Sequence, residues 1–377
     1  MSATKSGVTA DQSRIGLAKK AAEFAGFLLS DKGEFSAETL TGLDQAIQAI
    51  HDGFGFKVEV LKPATFAAFL GLENRTMGMF KQLESETDWR TLLDQVEESC
   101  FLQEDKFAIA RPFLNEMWKG EVAQNPYQPP KDWRYLPVPE AVERFRNLIR
   151  SIFGSSVELK AETILKQAHD AKLPQYNEGF LTAVKLTTWA RLFGIEGNPL
   201  NSTAKGREAY AGVVNSFIPV VGAAYVKAHN QIMSFANWRE GALTLKHIVL
   251  TPAGRITWQD LEDQNDDDFV TAPGNSGFLF AGYSQRLARM RIGLADNQLP
   301  QDCIMTGGTL AIQPERLCKN EHLRLDCPGN AYSPDADGKF DTCLSWYFDS
   351  GVRQLAFDCD HAYAANQKFG SAVVLRP

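Results

Sequence analysis

The chain has no run of eighteen consecutive apolar residues, the length a helix needs to cross a bilayer, so no conventional membrane span is expected. Its start, Met1 to Thr9, lacks a basic residue followed by an apolar stretch; no Sec-type signal is expected, and the protein is expected to be made in the cytosol. Release by another route would leave no mark in the sequence. It also lacks an excess of positive charge. Thirty-nine Lys and Arg stand against 46 Asp and Glu, a net charge of −7. An acidic field disfavours general nucleic-acid binding, which displaces counterions with basic side chains. There is no CxxC pair, nucleophile elbow, phosphate loop, dinucleotide fingerprint or HExxH pair, so the enzyme classes built on those motifs are not indicated. Internal repeats and low-complexity segments are missing too.

What is present is ordinary globular material. The 377 residues are 44% hydrophobic and 23% charged, enough apolar surface for a core and enough length for two domains. The periodicity divides the chain into an N-terminal, mostly α-helical region followed by a C-terminal β-rich module, an α+β arrangement. Helical spacing is seen in Ile15 to Leu29, in Leu40 to Ile50, and on to about residue 118. Residues 125–139 carry Pro126, Pro129, Pro130, Pro137 and Pro139, which exclude helix and central strand. The same stretch holds Tyr127, Trp133 and Tyr135, so it is expected to be an extended strap packed on the surface. Helical periodicity resumes over 140–240, with candidate helices at 140–153, 158–172, 177–193 and 204–238. From 241 to 377 the texture becomes strand-like, with candidates at Leu243–Leu250, Arg255–Trp258, Phe278–Tyr283, Ala288–Leu294, Thr309–Ile312, His322–Asp326, Leu344–Phe348, Val352–Phe357 and Ala372–Leu375. Irregular turn spacing among them points to a sandwich or partly open barrel.

Six features could carry chemistry. Cys303, Cys318, Cys327, Cys343 and Cys359 crowd the last 75 residues with His322 and His361. Zinc would need four such ligands, but without a tight pair the thiols are expected to be buried as small hydrophobes rather than metal ligands or disulfides. Ser333 to Asp341 has the spacing of a calcium loop, with Asp335, Asp337 and Asp341 as oxygen ligands around Gly338. Leu344 stands where a bidentate Glu is required, which favours an acidic β-turn. Asp260 to Asp268 is expected to be a solvated acidic loop. Arg286, Arg289 and Arg291 could bind an anion or acidic partner; a strand would put Arg289 and Arg291 on one solvated face. Tyr210 to Val226 is 17 uncharged residues, either a core helix kinked at Pro219 or a segment that enters a bilayer. Asp358-Cys359-Asp360-His361, on a strand, would turn Cys359 and His361 to one side and the two aspartates to the other, a Cys/His pair that could be catalytic.

The functional expectation is a non-catalytic binding or assembly protein, as a homo-oligomer or with a protein partner, and without a resident cofactor. Its β module would recognise the partner through loops near 260–277 and 328–342, with Trp133, Tyr135 and the three arginines as binding residues. The alternatives are a membrane-inserting toxin using about 207–230, the only reading that gives it a membrane partner, and an enzyme with a Cys/His site in the β module.

Overall fold

The computed structural model describes residues 134–173, 179–273, 297–319, 324–338, 342–361, 369–371 and 373–375, with the isolated residues 289, 294 and 340. All fall in the second of two compact units, Leu114–Pro377. The helices read in the first 120 residues, and most of the strap, lie outside the described residues.

The described part is α+β. Helix α1 (Val138–Phe153) buries Val138, Ala141, Val142, Phe145 and Ile149, the i, i+3, i+4, i+7 pattern of a one-sided helix. Arg144 on its outer side pairs with Glu140 at 2.7 Å and donates to the Ile312 carbonyl at 2.7 Å. A short helix α2 (Glu162–His169) follows. The next stretch, expected to be one helix, is strand β1 (Phe180–Val184) and then helix α3 (Leu186–Leu192). β1 is buried along nearly its whole length against antiparallel β4 (Phe269–Pro273). A strand covered on both faces has no alternation, so its apolar run looks like a helix segment.

Helix α4 (Ala204–Ala228) is the centre of the core. Thr203 caps it by accepting from the Gly206 N–H. Among the described residues it is the one helix long and apolar enough to cross a membrane. Here it buries Tyr210, Phe217, Val221 and Tyr225 and leaves Asn215, Pro219 and Ala223 outside. It ends at Ala228, and the chain turns into strand β2 (Ser234–Asn237) instead of continuing as helix.

After β3 (Ile248–Leu250) comes helix α5 (Pro252–Glu262), where a turn and strand were expected. Thr251-Pro252-Ala253-Gly254 is a helix start: the Thr251 hydroxyl accepts from the Gly254 N–H at 3.0 Å and Pro252 occupies the first turn, a placement proline favours. Likewise the strand expected at Thr309–Ile312 is the end of helix α6 (Cys303–Ile312), capped by the Asp302 carboxylate on the Met305 N–H at 2.8 Å. A 3-10 turn, Pro314–Leu317, follows.

The main sheet has seven strands and does not close into a barrel among the described residues. Its axis is β8 (Thr342–Asp349), paired antiparallel along its whole length with β9 (Gln354–His361). The opposite edge of β8 takes β6 (Arg324–Asp326) and the end of β7 (Asn330–Tyr332). Parallel β10 (Phe369–Ser371) extends β6, antiparallel β3 extends β7, and parallel β2 lies outside β9. Strands β5 (Gln298–Pro300) and β11 (Val373–Leu375) form a separate antiparallel pair.

Helices α4 and α6 pack on the inner face of this sheet. Close approach is permitted by glycine: a Cβ at Gly222 would stand 2.0 Å from the Phe235 ring, and one at Gly307 would stand 2.8 Å from Trp346. One buried cluster runs without a break from Tyr135 to Val374. It includes α1 and α4 on one side of residue 240 and β8, β9 and α6 on the other.

Candidate functional site

Side chains directly opposite one another across a ladder share a face, so the registers sort the main sheet into two faces. Leu344, Trp346, Leu355, Phe357 and Cys359 belong to the inner face; Trp346 and Phe357 meet at 4.6 Å between ring centroids. The outer face is polar and aligned in rows. One row runs Ala236, Ala356, Tyr347, Arg324; the next runs Asp358, Ser345, Asp326; a third pairs Asp360 with Cys343. Trp238 follows β2 directly and stays in register, its backbone N–H donating to the Phe357 carbonyl at 3.0 Å.

Arg324 organises this face. Its Nε donates to Ser345 Oγ at 2.6 Å, its Nη1 lies 3.4 Å from Asp360 Oδ2, and its guanidinium sits 4.7 Å above the Tyr347 ring. Arg239 pairs with Asp358 at 2.8 Å. Burial raises the Tyr347 phenol, the carboxylates of Asp358 and Asp349 add to the rise, and Arg324 and a hydrogen bond from Trp238 oppose it. Trp238 nevertheless remains 58% exposed. Deeper on the same face, Asp326 is fully buried. The Cys343 thiol is pushed up by burial first and then by Asp326, with Arg289 and Arg324 acting the other way. At the far end of β2 and β9, Ile232 is 64% and Val352 62% exposed. The residues flanking them, Gln231 and Arg353, have positive φ (61° and 54°), uncommon for side-chain-bearing residues.

A second polar cluster is internal. The Tyr210 hydroxyl donates to Asp302 Oδ2 at 2.8 Å and receives a hydrogen bond from Asn330 Nδ2. Asn330 Oδ1 accepts from the Cys303 N–H at 2.6 Å. Burial raises Asp302, and donors from Met305, Trp258 and Tyr210 partly offset it. These groups satisfy one another in a sealed interior, so the cluster ties α4, α6 and β7 together.

The sequence-predicted residues are dispersed. Arg289, expected on a solvated strand face, is in helical backbone and only 3% exposed. A buried guanidinium needs acidic company, and Arg289 and Asp326 both act on the one Cys343 thiol. Tyr135 is buried beneath the Arg316 guanidinium, 4.3 Å from its ring, so it anchors the strap's end and offers no binding surface. Asp335 and Asp337 are exposed in a tight turn, with the Ser333 hydroxyl donating to Asp337 at 3.0 Å. Arg286, Arg291, Trp133 and Asp341 lie outside the described residues. Asp267 and Asp268, expected in a solvated loop, are structural: Asp267 accepts from the Ile164 N–H, and Asp268 from the Lys160 N–H, Thr188 and Arg191. Cys303, Cys327 and Cys343 are buried. Among the described residues no three His, Cys, Asp or Glu side chains are placed to hold a metal. Asp358 and Asp360 do face away from Cys359, as strand alternation required. The aromatics Trp238 and Tyr347 were missed; the first follows β2 and the second lies within β8, and they come near each other only once β2 is known to lie beside β9.

The fold is thus an α+β unit in which α4 and α6 pack on the inner face of a mixed sheet; the centre of the other face, at Asp326, Cys343 and Ser345, is buried, and Trp238 lies exposed at its edge. No family model, curated protein or solved structure matches the chain.

Proposed function

We propose that this is a non-catalytic binding or assembly protein whose C-terminal β-rich part recognises a macromolecular partner through the outer face and edge of β2, β8 and β9. The observation that carries this reading is the exposed indole of Trp238 beside Tyr347, with Arg324 on the same face and Arg239 paired to Asp358. Trp, Tyr and Arg are the residues that dominate interface energetics when a partner seals them from water. Ile232 and Val352 extend the apolar surface along the same pair of strands.

The test is quantitative affinity capture from the source cells with wild type and Trp238→Ala as baits. Trp238 is more than half exposed, so its truncation should move the melting temperature little. Recovery of a stoichiometric partner, or of a second copy of the chain, should fall about tenfold or more, the loss of one hot-spot side chain. Equal recovery with both baits would refute the reading.

A further inference from the structure

Resting on that binding reading, we propose that the partner is a second copy of this chain. The two copies join edge to edge, β2 adding antiparallel to β2 across a two-fold axis that sets Phe235 of one opposite Phe235 of the other.

Two hydrogen bonds fix which way the backbone of β2 faces. The Ser234 N–H donates to the Arg353 carbonyl at 3.2 Å and the backbone N–H of Trp238 to the Phe357 carbonyl at 3.0 Å. With the parallel register of β2 and β9, this turns the backbone groups of Ser234, Ala236 and Trp238 toward β9. The intervening Phe235 and Asn237 aim theirs the other way, and among the described residues no strand lies on that side of β2. The Asn237 carbonyl takes the Glu240 N–H at 3.3 Å, which leaves it a second lone pair. A bare edge is a template for another strand, and chains that keep one unpaired guard it with charge, proline or a bulge. Here Ile232-Met233-Ser234-Phe235-Ala236-Asn237-Trp238 holds neither a charged residue nor a proline.

The apolar pattern along this edge selects a second copy over an unrelated strand, because it is the same from either end. The exposed Ile232 and Trp238 stand three residues to either side of Phe235. Antiparallel pairing centred on Phe235 sets Trp238 opposite Ile232 of the second copy at both ends of the contact, and the short Ser234 opposite Ala236 between them. Val352 precedes Gln354 by two residues as Ile232 precedes Ser234, so it is level with Ile232 and widens the apolar surface that meets each indole. An isologous contact needs one patch complementary to itself, whereas an unrelated strand needs no such symmetry. The two Phe235 residues would exchange both N–H···O bonds, and Trp238 with Ile232 would form a non-hydrogen-bonded pair, in which side chains come closer. The helix against this edge makes room for it. α4 meets β2 where Gly222 approaches the Phe235 ring, and the exposed residues within one turn of that contact, Pro219 and Ala223, are small and uncharged.

Sedimentation velocity of the full-length chain over a range of concentrations should show a monomer–dimer equilibrium. Ser234→Lys, at an exposed position, puts an ammonium group on each joined edge and should weaken the dimer about tenfold or more with the far-UV circular dichroism of wild type. The register is tested by cross-linking. An equimolar mixture of Ser234→Cys and Ala236→Cys, oxidised in air, should give far more covalent dimer than either variant alone, with wild type and its own cysteines as the background. Positions 234 and 236 face each other across the axis, whereas like positions are diagonal neighbours about 7–8 Å apart, beyond the reach of a disulfide. A monomer at every concentration, a dimer unmoved by Ser234→Lys, or cross-linking as strong in either variant alone as in the mixture would overturn the inference. If the chain is a monomer and Trp238→Ala still loses a different captured protein, the second copy is wrong and the binding reading survives. Equal capture by wild type and Trp238→Ala removes both.

Discussion

Tyr210 is the residue on which the interior depends most directly. Its hydroxyl is the middle of a chain that begins at Asn330 and ends on Asp302, all three buried. Tyr210→Phe removes one oxygen and leaves an amide and a carboxylate oxygen without their partner, so about 1–3 kcal/mol of stability should be lost, measured as a drop in urea midpoint without a change in slope. Asp302 gives the network a pH dependence. Its carboxyl is raised above the usual value near 3.8, so between the unfolded and folded values the native state holds a proton that the unfolded state has released. The associated stability is complete below the unfolded value and is lost as pH rises through the folded one. Asp302→Asn, which keeps a helix-capping side chain, should therefore gain on wild type as pH rises above the ordinary aspartate value, read as the difference in urea midpoints. None of this was legible in the sequence, because Tyr210, Asp302 and Asn330 are about ninety and thirty residues apart and carry no motif. The alternation of Asp358, Cys359 and Asp360 was legible, because a strand fixes it locally.

Among the elements, α1 was read from its helical periodicity, and the strands expected at Leu344–Phe348 and Val352–Phe357 overlap β8 and β9. Two of the errors fell where a cap decides the structure. Thr251 and Asp302 each start a helix by accepting a backbone N–H, yet Thr-Pro-Ala-Gly resembles a turn and the glycines of α6 resemble a loop. Those glycines are there for packing. The contact between α4 and β2 is the tightest case, since a Cβ at Gly222 would enter the Phe235 ring. Gly222→Ala should improve helix propensity and still destabilise, by about 1–3 kcal/mol, because a filled contact must be forced apart. Gly212→Ala, where the nearest atom is the flexible end of Ile195 at 3.3 Å, is the control and should cost less. Thermal melts of the two variants would distinguish packing from propensity.

For the whole molecule, the periodicity of the sequence placed a change of texture at residue 241. The buried cluster nevertheless crosses it, because α4 covers the inner face of a sheet whose strands come mostly later in the chain. A fragment starting at residue 241 would expose that inner face, including Trp346 and Phe357, and should give no cooperative unfolding transition by circular dichroism. The thiols report on the interior as well. Cys303, Cys327 and Cys343 are sealed and their thiols pushed well up by burial. They should resist an aqueous thiol reagent in the native protein and react together on unfolding, while the half-buried Cys318 and Cys359 react first.

The central place of α4 also has a cost in time. The helix is complete at Ala228, but α6, which packs against it, does not begin until Cys303, about 75 residues later. At roughly 5–20 residues per second, the ribosome leaves this apolar rod without that cover for about 4–15 seconds on every round of synthesis. The nascent chain is therefore expected to lean on chaperones over that interval, and slowing translation between residues 228 and 303 should lower the soluble yield of an unchanged amino-acid sequence.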